Sequence, residues 1–112
     1  MAGGLDTGPR RGEIWLYRFD PPDKRRPVVV LTRSEVLPLL RTAMVAPITS
    51  TIRGLSSEVI VGVDEGLKND SAINCDHIQS VDQRMLRRYV GSLSESKMVE
   101  VCRAVAIATG CA

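Results

Sequence analysis

Aromatic residues are scarce in this chain: one Trp, one Phe and two Tyr make up 4 % of its 112 residues. Aliphatic side chains must therefore fill whatever core it forms. Histidine occurs once, at His77, which excludes chemistry that needs one histidine as acid and another as base. The three cysteines, Cys75, Cys102 and Cys111, are an odd number without CxxC spacing. That pattern argues against a disulfide framework or a zinc site and for free thiols in a reducing cytosol, with Cys75 and Cys102 expected as small core residues. No apolar run approaches the ~18 residues of a membrane span. The opening MAGGLDTGP lacks the apolar centre of a signal peptide, so residues 1–9 are expected to be a flexible leader and 10–112 a single domain. HExxH, Walker, GxSxG and paired-aspartate metal motifs are all absent, which excludes the familiar metallohydrolases, and neither a metal nor another cofactor is expected.

What is present is aliphatic and unevenly charged. Apolar residues make up 44 % of the chain and the formal net charge is only +2, so a polyanion partner would have to be met by local placement of charge. Such placement exists. Arg10, Arg11, Arg18, Lys24, Arg25, Arg26 and Arg33 fall in the first third, where Asp20 and Asp23 are the only acids between Glu13 and Glu35. A second cluster is Arg84, Arg87 and Arg88.

Short strand-like runs separated by turn residues follow one another: 13–19, 27–32, 42–50, 56–63, one irregular strand within 71–81, and 87–93. The run PVVVLT is apolar on both faces and reads as a central strand. Ser34 with Glu35 predicts one helical turn that Pro38 stops. Residues 94–110 form the clearest helix, with Ser94 as N-cap, Gly110 as stop, and Met98, Val101, Cys102, Val105 and Ala106 as its apolar stripe. The pattern describes a mainly β domain, a small barrel or half-open sheet with one C-terminal amphipathic helix packed on it.

With the usual catalytic sets excluded, a guanidinium and a hydroxyl remain. Arg26 heads the second strand and Thr49 ends the third; if those strands are antiparallel neighbours, both side chains reach one rim. A fixed arginine can hold a phosphate through two parallel hydrogen bonds and stabilise charge that builds on it, and a threonine hydroxyl can donate to the same phosphate. The plainer reading stands beside it: an arginine at a strand end is commonly solvated, and a threonine there commonly bonds the local backbone.

The ordered set RRGEIWLYRF, RRPVVVLTR, VAPITST, CDHIQSVD and VGSLSESKMVEVCRAV, spread over residues 10–109, resembles the MazF/PemK toxins of bacterial type II toxin–antitoxin modules. The resemblance implies an SH3-like β-barrel, a homodimer, and a metal-independent, sequence-specific endoribonuclease. Such an enzyme cleaves single-stranded RNA (messenger, ribosomal or transfer) by 2′-hydroxyl attack, leaving a 2′,3′-cyclic phosphate and a 5′-hydroxyl. It also implies a cytoplasmic protein, neutralised by a cognate antitoxin whose acidic, disordered tail lies across the RNA groove. Carried onto this chain, the family's catalytic arginine falls on Arg26 and its catalytic threonine on Thr49. Arg25 joins Arg26 as a phosphate contact, and Ser50, Thr51 and Arg53 either line the groove or form a polar turn. His77 and Gln79 are candidates for contact with a base, His77 equally for a structural place. Trp15 is expected to pack rather than stack on RNA. The link DPPDKRR between the first two strands is shorter than in many relatives, which leaves its RNA contacts and the cleavage sequence open. The alternative from another class is a CcdB-like gyrase poison of the same fold that performs no chemistry; a third is an RNA-binding relative without activity.

Overall fold

In the computed structural model, residues 8–19 and 25–112 are described. Most of the leader expected at 1–9 and most of the shortened link at 20–26 lie outside them. Seven strands and one helix follow in order: β1 (Glu13–Arg18), β2 (Arg25–Val30), β3 (Thr42–Thr49), β4 (Glu58–Val61), β5 (Ser71–Asn74), β6 (Gln79–Asp82), β7 (Arg88–Ser92) and α1 (Glu95–Ala108). All pairings are antiparallel, in the order β4-β5-β3-β2-β1-β7, with β6 paired to β3 beside β5. The protein is thus mostly β with one C-terminal helix, a curled antiparallel sheet that forms a half-barrel.

The region expected to hold one irregular strand holds two. The Asn74 side chain accepts a hydrogen bond from Asp76 N at 3.0 Å and turns the chain into a 3₁₀ segment, Cys75–His77, which divides β5 from β6. β3 is eight residues long and uses both: Thr42 to Val45 pair with β6, and Ile48 and Thr49 pair with β5. The sheet curls at that change of partner. The helical turn expected before Pro38 also falls later, at Leu37–Leu39, with Pro38 inside its first turn, where an N–H is not needed. Ser34 accepts instead from Arg11 N at 3.0 Å.

β2 is central, and Val28, Val29 and Val30 are fully buried because each of its faces has its own core. Ile14, Val29, Leu31, Ala46, Ile48 and Ile73 pack on one side with Val101 and Ala104 of α1. Trp15, Val28, Val30, Val45 and Val81 pack on the other with Leu37 and Leu86. Trp15 meets Tyr89 edge to face at 5.8 Å and is buried, as packing requires. The helix is capped by Ser94, whose Oγ accepts from Lys97 N at 3.2 Å. Of its expected stripe, Val101 is buried and Met98 and Val105 pack against the same core, but Ala104 is the other buried residue and Cys102 is exposed. Cys102 is therefore not a core residue; it stands at the edge of the helix, where the Arg11 guanidinium donates to its sulfur at 3.2 Å.

The curled sheet closes where the turn after β4 meets β7. Gly66, at φ 94°, and Gly91 allow backbone to lie directly on backbone, since a Cβ on Gly91 would stand 2.0 Å from the Glu65 carbonyl oxygen.

Candidate active site

Thr49 and Arg26 project from the same face of the sheet. The β2–β3 ladder pairs Val28 with Pro47, Val29 with Ala46 and Val30 with Val45. Continued two residues further, that register sets Arg26 opposite Thr49. Pro27 and Pro47 supply no N–H at this end, and beyond the pairing of Val28 with Pro47 the strands border a cleft of about 420 Å³. Phe19, Arg26, Pro47, Thr49, Thr51, Arg53, Glu58, Asn74, His77 and Gln79 line it.

Each wall comes from a different element. Arg26 stands on β2 beside Tyr17 of β1, and Phe19 packs edge to face on that tyrosine at 4.9 Å. Thr49 Oγ1 accepts from Thr51 N at 3.1 Å. That bond fixes the oxygen through a lone pair and leaves the hydroxyl hydrogen free to donate. The backbone role and the ligand role of this threonine are therefore compatible. The guanidinium groups of Arg26 and Arg53 have no hydrogen-bond or ion-pair partner among the described residues. The far wall is the 3₁₀ segment with His77, tied to the loop after β3 by Ser57 Oγ, which donates to Asp76 Oδ2 at 2.5 Å. Between Asn74 and His77 the Cys75 thiol turns inward; burial, with the Asp76 carboxylate and the Cys102 sulfur adding to it, pushes its pKa up to about 11.

Of the residues singled out in the sequence, the cleft brings together Arg26, Thr49, Thr51, Arg53, His77 and Gln79. Two are not part of its lining. Arg25 faces Arg18 across the β1–β2 ladder and is exposed, and Ser50 is exposed in the turn after β3. The second basic cluster also lies outside it. Arg84 is paired with Asp82 at 2.8 Å, an ion pair that holds the Asp82 carboxyl down at about 2, and Arg87 donates to the Arg84 carbonyl. Phe19, Pro47, Glu58 and Asn74 line the cleft without having been singled out. Glu58 and Asn74 are direct neighbours across the β4–β5 ladder, a pairing between segments sixteen positions apart that no local pattern reveals. Among the described residues no three His, Cys, Asp or Glu side chains are grouped so as to hold a metal.

Two cationic side chains without partners, a positioned hydroxyl, an aromatic ring and several amide or imidazole groups share this cleft. Such a set can grip a phosphate and contact the bases beside it. A family model described as "PemK-like, MazF-like toxin of type II toxin-antitoxin system" matches residues 10–109. The probable endoribonuclease MazF5 of Mycobacterium tuberculosis is 43 % identical over 105 residues, which span 92 % of this chain and 94 % of that protein. The solved structure of the Mycobacterium tuberculosis toxin MazF-mt6 is similar with a TM-score of 0.81 at 38 % identity, covering 88 % of this chain and 96 % of that one. A mycobacterial endoribonuclease solved in complex with its cognate antitoxin shares the fold, with a TM-score of 0.81 at 22 % identity over 91 % of this chain and 95 % of the other.

Proposed function

Because the chain belongs to the family of PemK-like, MazF-like toxins of type II toxin–antitoxin systems, we propose that the cleft bearing Arg26 and Thr49 is where it cuts single-stranded RNA. The protein is an endoribonuclease toxin, neutralised by a cognate antitoxin. The observation that carries the assignment of the cleft is that Arg26 and Thr49 line it together with four more of the residues expected to meet RNA.

The reaction follows from these groups without a metal. The ribose 2′-oxygen attacks the adjacent phosphorus, the 2′-O–P bond forms and the P–5′-O bond breaks. The 2′-hydroxyl gives its proton to solvent water and the leaving 5′-oxygen takes one from it, giving a 2′,3′-cyclic phosphate and a 5′-hydroxyl. Charge builds on the non-bridging oxygens as phosphorus becomes five-coordinate. Arg26 faces that charge with two parallel N–H donors; with a pKa above ~12 a guanidinium keeps its proton, so its part is electrostatic. Thr49 donates its free hydroxyl hydrogen to the same phosphate and holds it in line. Arg53 and Thr51 take up the neighbouring phosphates, while His77 and Gln79 meet bases. Arg25, at the exposed end of β2, adds to the field that draws RNA in rather than to the grip.

The same cationic cleft accepts the acidic tail of the antitoxin, whose carboxylates stand in for phosphates. Met44 on β3 with Val99 and Ile107 on α1, each 43–50 % exposed, leaves apolar surface that suits a homodimer. No helix among the described residues is long and apolar enough to cross a membrane, and we place the toxin in the cytoplasm, with its RNA. A gyrase poison of the same fold is not favoured, because the chain's likeness is to endoribonucleases.

The test is cleavage of a long mixed-sequence RNA in EDTA by the wild-type protein, Arg26→Ala and Thr49→Ala, with chemical mapping of the ends. Discrete cuts with 5′-hydroxyl ends, lost in both variants, are expected. Wild-type protein that is folded and leaves the RNA intact would overturn the reading.

A further inference from the structure

Glu58 is out of place by charge alone, since it puts a carboxylate in the wall of a cleft suited to a polyanion. Its hydrogen bonds explain why it is there. Glu58 Oε1 accepts from three consecutive backbone amides, Arg53 N at 3.1 Å, Gly54 N at 2.9 Å and Leu55 N at 3.2 Å. Successive N–H groups that converge in this way form a concave anion-binding nest. Gly54, at φ 74°, supplies the left-handed residue that turns the amides inward. The resident anion is the protein's own carboxylate.

The loop it holds has little else to hold it. Residues 51–56 are exposed and belong to no strand or helix. Beyond the nest they are restrained by Thr51 N donating to Thr49 Oγ1 and by Glu58 N donating to Leu55 O at 3.0 Å, while the next residue, Ser57, is anchored by its bonds to Asp76 and Cys75 N. Yet this loop carries Thr51 and Arg53 into the cleft.

We propose that Glu58 is a positioning residue for RNA. By filling the nest it fixes the 51–57 loop with Arg53 turned to the cleft, and by occupying the three amides it denies them to RNA phosphate, so that the phosphate chain runs along Arg26 and Arg53 instead. The inference rests on the endoribonuclease reading above. Glu58 touches no reacting atom; it acts through Arg53.

Steady-state cleavage of a short RNA carrying one mapped cut site tests this, with wild type, E58A, E58Q, R53A and the E58A/R53A double variant. Hydrogen exchange over residues 50–57 is measured alongside. Loss of the nest anion is expected to raise KM about tenfold in E58A and about threefold in E58Q, which keeps an acceptor but not the charge, with kcat changed less than about threefold. R53A is expected to match E58A, and the double variant to be no worse than either single one, because both remove one interaction. Amide protection at 53–55 is expected to fall in E58A while that of β2 and β3 stays. A wild-type KM in E58A and E58Q, or effects of E58A and R53A that multiply fully, overturns the role of Glu58. If E58A does not fold, E58Q decides by the same KM criterion. Wild-type protein that cuts no RNA overturns the endoribonuclease reading, and the role of Glu58 in RNA positioning falls with it.

Discussion

Replacing Gly91 by Ala tests how the sheet closes. A Cβ at that position would lie 2.0 Å from the Glu65 carbonyl oxygen, 2.9 Å from its carbon and 3.2 Å from Gly66 Cα. Ordinary contact begins near 3.4 Å, so β7 and the turn at 63–66 must part by about 1.4 Å. No rotamer can absorb this, because every atom involved is backbone. The turn cannot swing aside cheaply either, since Glu65 is buried and its Oε1 accepts from Gly62 N at 2.7 Å while Glu65 N donates to Gly62 O at 3.0 Å. Overpacking costs about 1–3 kcal/mol, and a clash of backbone on backbone belongs at the upper end, about 3 kcal/mol. For a domain of this size each kcal/mol moves Tm by about 4–8 °C, so a fall of about 12 °C or more is expected. Thermal unfolding followed by circular dichroism or calorimetry measures it. Gly8→Ala serves as the control, since a Cβ there meets nothing within 4 Å. Below its melting temperature the Gly91→Ala protein should still cut RNA, because no residue of β7 or of the turn at 63–66 lines the cleft. A Gly91→Ala protein that melts within about 3 °C of wild type would refute the contact between β7 and the turn, and with it this account of closure.

Arg26→Ala is expected to lower kcat by about 10²–10³, the effect of removing a donor aimed at charge that develops in the transition state. Arg26→Lys should restore little of it, because an ammonium cannot make the two parallel bonds; full rescue by lysine in the same RNA assay would contradict the bidentate role. Alkali should unfold the protein partly through Cys75. The unfolded thiol ionises near its ordinary 9.0 and the folded one near 11, so the stabilisation is complete below pH 9 and lost as pH rises through about 11, a difference of roughly 2–3 kcal/mol. Urea midpoints at pH 8 and pH 10.5 should therefore converge between Cys75→Ala and wild type as pH rises; parallel losses in the two would refute the assignment. In native protein, iodoacetamide with mass spectrometry should label Cys102 and Cys111, which are exposed, and spare the buried Cys75.

Much of the fold is written locally. The β-branched and aromatic run in EIWLYR, the valine run of β2 and the capped stripe after Ser94 each announce their element, because strand and helix preferences are properties of neighbouring residues. Where the local pattern misled, a contact from elsewhere decided. The Asn74 cap, with Cys75 N donating to Ser57 O at 3.1 Å, breaks one expected strand into two. Cys102 fits the apolar stripe by spacing, yet α1 docks so that Val101 and Ala104 face the sheet and Cys102 falls at the edge. Within the cleft, Arg26 and Thr49 could be found because each stands at a strand end in a short motif, RP and PIT. Glu58 carries no such mark: before VIV it reads as one polar residue at the head of a strand.

The sequence alone determined most of the secondary elements, the two-faced central strand and the family, and it singled out the arginine and threonine on which the proposed phosphate chemistry rests. Each of these depends on residue type and on separations of a few positions, or on the order of short motifs along the chain. Tertiary structure decided the rest. The Glu65–Gly91 seam, the junction of β5 and β6 along β3, the exclusion of Arg25 and Ser50 from the cleft, and the amide nest filled by Glu58 all depend on which segments come to lie against one another once the sheet has curled. Register across a ladder and docking of a helix are settled by packing the whole core at once, and no window of neighbouring residues contains that information.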